Sequence, residues 1–446
     1  MGKRTHHAVG FRVYDIYKSI DRSALASILA VEAATFLLIL IFGHGIRILP
    51  VTLLLMLFTA AVCIITFYFR GNKTIILLTI ALVNLGFIAQ FVQDSDGINI
   101  KKYVICCTLA MLFLIIAFAA YLKLEHLFVS NTVVIIMVTV QYLICAVMSI
   151  FGQGREANIT FLGINLFELV KVLYIFVCAA LLCGNKTDKF ITRFRLHMST
   201  LLLLAHTLGL SLFFAVCSEL GTLLVILVTY MIMSWIFGKD RKFTAMFIIA
   251  FLGAFLLFWA VCDLFLYPRI GEMNVPSAVS KLIRRFGVTL HPEKAMSTDG
   301  YQGTMGLLAI ALGGLTGNTS ERYRLSADGF SLPRANDDFL FANIVQTCGL
   351  LFGIMIIVFF LGLLMAGFHV AEECGEQYSQ SVAIGITVTI FAEALIHIGY
   401  NLALLPITGI PLYFCSSGFT ALLTGMILVG ILLAISVRSS EAEQIQ

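Results

Sequence analysis

Runs of about twenty apolar residues recur along almost the whole chain, and their length limits it to one kind of fold. They lie near 24–43, 47–69, 74–93, 103–121, 127–151, 162–183, 197–216, 219–237, 243–267, 341–367, 380–404 and 411–436. No water reaches the middle of a bilayer, so backbone N–H and C=O groups there must be paired internally. Helices of this length meet that demand and match a hydrocarbon core of about 30 Å. Only 12% of the 446 residues are charged and 60% are hydrophobic, where a soluble domain carries about 25% charge. The expectation is an all-α polytopic integral membrane protein of about twelve transmembrane helices. It forms a single membrane domain over 23–437, with short linkers and no soluble domain. The seventh and eighth spans are separated only by Cys217-Ser218-Glu219.

Lys and Arg set the orientation of such a chain. With the N-terminus inside, the cytoplasmic loops hold Arg70 and Lys73, Lys123, the group Lys186, Lys189, Arg193 and Arg195, and the group Lys239, Arg241 and Lys242. The alternate short loops hold Arg47, Lys101, Lys102 and Arg155. Both ends, 1–22 and 438–446, are therefore expected inside, and the long loop 268–338 outside. The basic stretch 1–22 leads into a span of full membrane length without a small-residue cleavage site, so that span reads as a membrane helix and not as a removed signal. The formal net charge of +4 is spread over loops and does not suggest nucleic-acid binding. Most of the eleven cysteines, such as Cys63, Cys106, Cys107, Cys145, Cys178 and Cys262, lie in apolar spans. They read as small packers and not as a disulfide framework or a metal site.

An ionisable residue at the bilayer centre costs about 2.5–3.5 kcal/mol and points to function. Glu168 and Lys171 stand one turn apart in the sixth span and read as an internal salt bridge or as part of a cavity wall. Glu393, His397 and Asn401, spaced i, i+4 and i+8, share one helical face. They read as interhelical hydrogen-bonding support or as a polar track. Their span runs into a Pro/Gly break, Leu405-Pro406-Ile407-Thr408-Gly409-Ile410-Pro411-Leu412. Glu219 reads as a helix-end carboxylate near water. In the long loop the apolar run Met305–Leu315 is too short to span and reads as a re-entrant or interfacial segment. The loop ends in Leu332-Pro333-Arg334-Ala335-Asn336-Asp337-Asp338-Phe339-Leu340-Phe341-Ala342. Asp338 there reads either as a helix N-cap or as a general base.

These segments resemble the signatures of the SEDS family (shape, elongation, division and sporulation; the FtsW, RodA and SpoVE group). The segment ending at Ala342 is similar to "LPExHTDFIFA", with Arg334 at the Glu, Asn336 at the His, Asp337 at the Thr and Asp338 at the Asp. Gln346 and Thr347 stand where "EE" usually follows. Residues 393–412 resemble "QxxxNIGMxxGLLPxTGxPL", with Glu393 and His397 at its Gln and Asn. Arg285, Leu290, Pro292, Glu293, Gly300, Tyr301 and Gln302 resemble "R…LDPE…GYQ", with His291 at the Asp, and Ala309–Gly317 resembles "AIGSGGxxGxG". Glu168 and Lys171 match "QPSExxK", and Glu219-Leu220-Gly221-Thr222 matches "PDLGT" with Glu for Asp. The likeness runs in family order from about 150 to 437, and the first two helices look additional to a ten-helix core.

The resemblance implies a peptidoglycan glycosyltransferase of the bacterial plasma membrane. Such an enzyme polymerises lipid II during division, elongation or sporulation, with an extracytoplasmic site. It implies Asp338 as the catalytic residue. Arg285, Glu168, Lys171, Tyr301, Gln302 and Asp337 would contact substrate, and Glu219, Glu393, His397, Asn401, Pro406 and Pro411 would support the cavity. A divalent cation, Mg or Mn, could assist, although no ligand cluster requires one. The implied partners are lipid II, undecaprenyl-pyrophosphate-linked glycan, membrane lipids and a class B penicillin-binding protein. Two other readings remain open: a transporter or lipid flippase, and a catalytically silent scaffold of the same family.

Overall fold

The computed structural model of the chain describes residues 71–93, 98–151, 165–184, 189–191, 196–271, 273, 275, 277–289, 292–295, 300–317 and 332–445. The stretch 1–22 and the expected spans 24–43 and 47–69 lie outside the described residues. Each of the other ten expected spans contains a helix. In order the described α-helices are α1 (Lys73–Gln93), α2 (Ile98–Phe128), α3 (Asn131–Phe151), α4 (Phe167–Ala179), α5 (Met198–Val216), α6 (Leu220–Phe237), α7 (Arg241–Val261), α8 (Ser277–Gly287), α9 (Tyr301–Gly313), α10 (Leu340–Cys348), α11 (Leu350–Glu373), α12 (Gln377–Asn401) and α13 (Phe419–Ile445), with α10 and α11 sharing the span 341–367. Of these, α8 and α9 lie in the long loop 268–338. Strands Phe190–Ile191 and Leu196–His197 form a small antiparallel pair. Among the described residues nine helices are long and apolar enough to cross a membrane, and α1 adds the shorter apolar stretch Lys73–Phe87. The separation of α5 from α6 stands, at Ser218, whose φ is +61°.

Large apolar side chains face outward on many of these helices, among them Ile150, Ile249, Leu257 and Met365. That is the pattern of a multi-pass protein whose outer surface meets lipid. Lipid is as apolar as a leucine side chain, so the helices associate through close packing and internal polar contacts. At the centre stands α12, packed against α4, α6, α11 and α13. Its small and polar residues Ser381, Ala383, Gly385, Thr387 and Thr389 are buried, and Thr389 meets Thr229 of α6 at 3.1 Å.

Two expected spans are drawn differently. The run 341–367 is not one helix: α10 ends at Cys348 and α11 begins at Leu350. Gly349 makes the break at φ +93°. Residues 314–317 fold back on it, with Leu350 N–H donating to Gly314 O at 2.9 Å and Leu351 N–H to Leu315 O at 3.3 Å. A Cβ at Gly349 would lie 2.4 Å from Gly317 N and from Leu315 O, both backbone atoms that cannot swing away. Gly349→Ala is therefore expected to lower stability by at least the roughly 1–3 kcal/mol of a strained backbone position, read as a lower melting temperature in detergent. The run Met305–Leu315 lies mostly in α9, whose 13 residues extend about 20 Å, short of a bilayer. The helix packs against α10.

The second difference is at 411–436, where the helix starts only at Phe419 and continues to Ile445. Pro406, Pro411, Gly409 at φ +72° and Phe414 at φ +67° keep 402–418 irregular. This segment is largely buried, and its backbone is satisfied by side chains. Tyr103 Oη donates to Phe414 O at 2.8 Å, and Ser416 Oγ accepts from Leu412 N–H at 2.8 Å. Irregular backbone at membrane depth is tolerated only where protein supplies such partners.

The two ends of the bundle differ. At one, Glu125 of α2 is bound by Arg438 of α13 and by Ser379 of α12. Asp240, between α6 and α7 at that same end, accepts from His197 N–H at 2.8 Å and from Thr200 Oγ1 at 2.7 Å. Burial opposes ionisation of Asp240, but these hydrogen bonds outweigh it and hold its carboxyl below the usual range. A folded-state pKa below the unfolded one stabilises above the unfolded pKa, and that stabilisation is lost as pH falls through the folded pKa. Asp240→Asn should accordingly flatten the acid limb of a melting-temperature profile and leave the neutral limb shifted down. The basic residues Lys239, Arg241 and Lys242 sit at this end. The opposite end carries the start of α6, the end of α12 and the turn before α10.

Candidate active site

The turn before α10 is built by its own backbone. Asp337 and Phe339 N–H both donate to Arg334 O at 3.1 Å, and Arg334 adopts φ +48°. The helix begins at Leu340 with Phe339 in the cap position, so Asp338 stands one residue earlier and is not the N-cap that sequence permitted. Its side chain is 5% exposed as a residue and receives Arg334 Nη1 on Oδ2 at 2.7 Å.

The last turn of α12 grips this turn. Tyr400 Oη donates to Asp338 O at 2.7 Å, and Asn401 Nδ2 reaches the same carbonyl at 3.1 Å. Asn401 Oδ1 accepts from Ala342 N–H at 3.1 Å. One side chain thus ties the residue before the cap to the first turn of α10. His397 Nδ1 lies 2.8 Å from Ile410 O and 3.0 Å from Tyr400 Oη. Tyr400 Oη lies 2.7 Å from Ile410 O as well as from Asp338 O, and in the tautomer with its proton on Nδ1 His397 donates to Ile410 O, so that the single Tyr400 proton can go to Asp338. Residues on the far side complete the clamp. Gln90 Nε2 donates to Asn336 O at 3.0 Å, and Ser417 Oγ donates to Asp337 Oδ1 at 2.5 Å.

Glu393 lies two turns before Asn401, about 12 Å deeper along the helix. It is buried and accepts from Lys171 Nζ at 2.8 and 2.9 Å. Lys171 also donates to Glu168 Oε1 at 2.8 Å, and Tyr413 Oη donates to Glu168 Oε2 at 2.8 Å. The expected pair is therefore a three-residue cluster of two carboxylates around one ammonium. The face shared by Glu393, His397 and Asn401 runs from this cluster to Asp338, and each residue on it has partners.

The remaining expected residues surround the clamp at varying distance. Arg285 lines a narrow cleft with Thr289, Pro292, Gly300, Gly303, Leu405 and Tyr400, and Arg285 Nη1 donates to Ser218 O at 3.4 Å. Tyr400, which holds the Asp338 carbonyl, lines the same cleft. Tyr301 and Gln302 begin α9, and Tyr301 packs on the cluster of Met305, Ala309, Phe339 and Ala342. Glu219 is buried at the head of α6. Gly221, two residues on, has no room for a side chain, since a Cβ would lie 2.0 Å from Ile410. That contact seats the segment holding Pro406 and Pro411 against α6. Sequence reading missed Tyr400, Tyr413 and Ser417. For Tyr400 a signal existed, its i+3 spacing from His397. Tyr413 and Ser417 stand at the Pro and Tyr positions of the resembled motif, but they lie 245 and 80 residues from the groups they bind, and no local rule gives them those partners.

The buried central helix α12, the short helices α9 and α10 packed on each other and the gripped carboxylate at the head of α10 belong to a multi-pass membrane bundle. The sequence model of the FtsW/RodA/SpoVE family, described as cell cycle protein, matches residues 73–441. The chain belongs to that family. Among curated relatives it is 34% identical over 148 residues to a probable peptidoglycan glycosyltransferase FtsW of Synechocystis, covering 33% of this chain and 37% of the relative. It is 34% identical over 154 residues to stage V sporulation protein E of Bacillus subtilis, covering 34% and 42%. The chain thus spans about two fifths of the length of these relatives. A chain from a structure of a peptidoglycan synthase complex superposes with a TM-score of 0.63 at 17% identity, covering 83% of this chain and 98% of that one. RodA of Thermus thermophilus superposes with a TM-score of 0.56 at 16% identity, covering 82% and 97%. At such identities the likeness establishes the fold.

Among the described residues no group of three or more His, Cys, Asp or Glu side chains could cage a metal ion. Asp337 and Asp338 suit at most an ion that keeps water and substrate phosphates as ligands, and each is already engaged, by Ser417 and Arg334. The described residues do not fit a preformed Mg or Mn site.

Proposed function

We propose that the chain is a peptidoglycan glycosyltransferase that polymerises lipid II, with Asp338 as general base. The observation that carries this reading is a buried carboxylate whose backbone is held at two points by Tyr400 and Asn401, at the head of α10, in the position of the family's aspartate. The 4-hydroxyl of the GlcNAc of lipid II would attack the anomeric carbon of the growing glycan. Asp338 would take the hydroxyl proton, the new glycosidic C–O bond would form, and the bond to undecaprenyl pyrophosphate would break. The leaving group is already good, so the protein needs only to position, deprotonate and neutralise. Arg285, Tyr301, Gln302 and Asp337 are the proposed substrate contacts around the cleft. Glu168, Lys171 and Glu393 would serve more as the buried scaffold of α12 than as direct contacts. Glu219, His397, Asn401, Pro406 and Pro411 would hold the walls. Lipid II turnover by the purified protein, followed by glycan-strand length on gels, tests the reading. Translocation without polymer would favour a flippase, and neither activity a scaffold.

The proposed setting is a bacterial plasma membrane, with the domain 23–437 crossing it, 1–22 and 438–446 inside and 268–338 outside. The basic groups at 239–242 lie at the bundle end opposite Asp338, which supports this orientation. In a cysteine-free variant, Ser326→Cys should be labelled by an impermeant maleimide in intact cells, and Lys239→Cys only after permeabilisation. The reverse pattern would invert the topology. A class B penicillin-binding protein, which cross-links the product, is the proposed partner.

A further inference from the structure

We infer that Arg334 is a substrate-operated counter-ion: it holds Asp338 at rest and leaves it to bind the pyrophosphate of the lipid-linked substrate. This rests on the reading of Asp338 as the base.

The first observation is the pairing itself. The Arg334 guanidinium meets Asp338 Oδ2 at 2.7 Å, a charge-assisted contact of the strong kind. So engaged, Oδ2 is committed to a cation, and departure of Arg334 frees that oxygen to accept a proton. The second is exposure. The Arg334 side chain is 39% exposed and that of Asp338 8%, so the cation sits on the outer side of the carboxylate and meets an incoming anion first. A guanidinium has five N–H donors in a planar fork that suits phosphate oxygens. The third is the backbone. Arg334 holds φ +48°, a conformation that favours glycine or asparagine. An arginine there is retained against local preference. The fourth is the sequence: the residue four before the aspartate, a glutamate in the resembled signature, is here a cation. A glutamate could neither mask the base nor bind a phosphate, whereas a guanidinium can do both. Anchoring makes the exchange feasible. Asp338 is held through its main-chain carbonyl by Tyr400 and Asn401, so the carboxylate keeps its place when Arg334 departs.

The test is a binding cycle with farnesyl pyrophosphate as probe and farnesol as blank, measured by calorimetry on the full chain in detergent. Asp338→Asn removes the competing charge, and the variant should bind the pyrophosphate about tenfold tighter than wild type. Arg334→Gln should bind it about tenfold more weakly, and the double variant should match Arg334→Gln. Asp263→Asn, just past the end of α7 at the same end of the bundle, removes a carboxylate without freeing the guanidinium and should shift affinity less than about threefold, which separates release from general electrostatics. Farnesol should bind all forms alike. Asp338→Asn no tighter than wild type, or a double variant as tight as Asp338→Asn, would overturn the inference. Because Asp338→Asn keeps its backbone anchors, the first comparison stands even where an Arg334 variant folds poorly. The parent reading fails separately: wild type that binds in this pattern but makes no polymer from lipid II contradicts the glycosyltransferase and leaves the exchange intact.

Discussion

Asp338→Asn is expected to fold normally and to lower lipid II polymerisation by about 10²–10⁴-fold, the usual effect of losing a general base. Folding survives because the contacts that place the residue go to its main-chain carbonyl, from Tyr400 at 2.7 Å and Asn401 at 3.1 Å. The side chain gives up its charge-assisted contact with Arg334, which is screened by solvent on the side of the partly exposed guanidinium. Asn keeps the size of Asp but cannot accept the proton. Asp337→Asn is the control: its carboxylate faces Ser417, on the other side of the turn, and the variant should retain measurable activity. Polymerisation by purified Asp338→Asn at the wild-type rate would remove Asp338 as base and the proposed mechanism with it.

Lys171→Met is expected to destabilise the bundle by about 3–5 kcal/mol, because it strands buried carboxylates without their cation. Two carboxylates are involved, Glu168 and Glu393, each 2.8 Å from the ammonium. Relieving only Glu168, in the double change Glu168→Gln with Lys171→Met, should therefore recover little. The triple change that adds Glu393→Gln should recover most of the folded yield, since replacing a whole buried ion cluster is often near neutral. Monodisperse yield and melting temperature in one detergent measure this directly. Equal stability of the double and triple variants would show that Glu393 does not belong to the cluster energetically.

That third carboxylate marks where sequence reading stopped. The i, i+3 spacing of Glu168 and Lys171 made their pairing legible, since helical geometry fixes which neighbours meet. The i, i+4, i+8 spacing put Glu393, His397 and Asn401 on one buried face for the same reason. What lies across from that face is a matter of which helices pack together. Lys171 and Glu393 are 222 residues apart, and no local rule connects them. The breaks were read with the same asymmetry. Pro406, Gly409 and Pro411 announced an irregular segment, but how far it extends, to Phe419, depends on Tyr103 and Ser416 satisfying its backbone. Gly349 gave no such notice within its apolar run, because a lone glycine acquires a meaning only when 314–317 folds onto it.

The sequence by itself determined the class: hydrocarbon admits only internally paired backbone, and spans of this length and composition leave the all-α membrane bundle as the solution. It also determined the chemistry present, an aspartate at the head of an apolar helix among glycines and arginines in a recognisable order. The tertiary structure alone decided what each group does. It set Tyr400 and Asn401 on the carbonyl of Asp338, across more than sixty residues of chain. Such contacts are short-range and directional, and they exist only once distant segments have been brought within about 3 Å of one another.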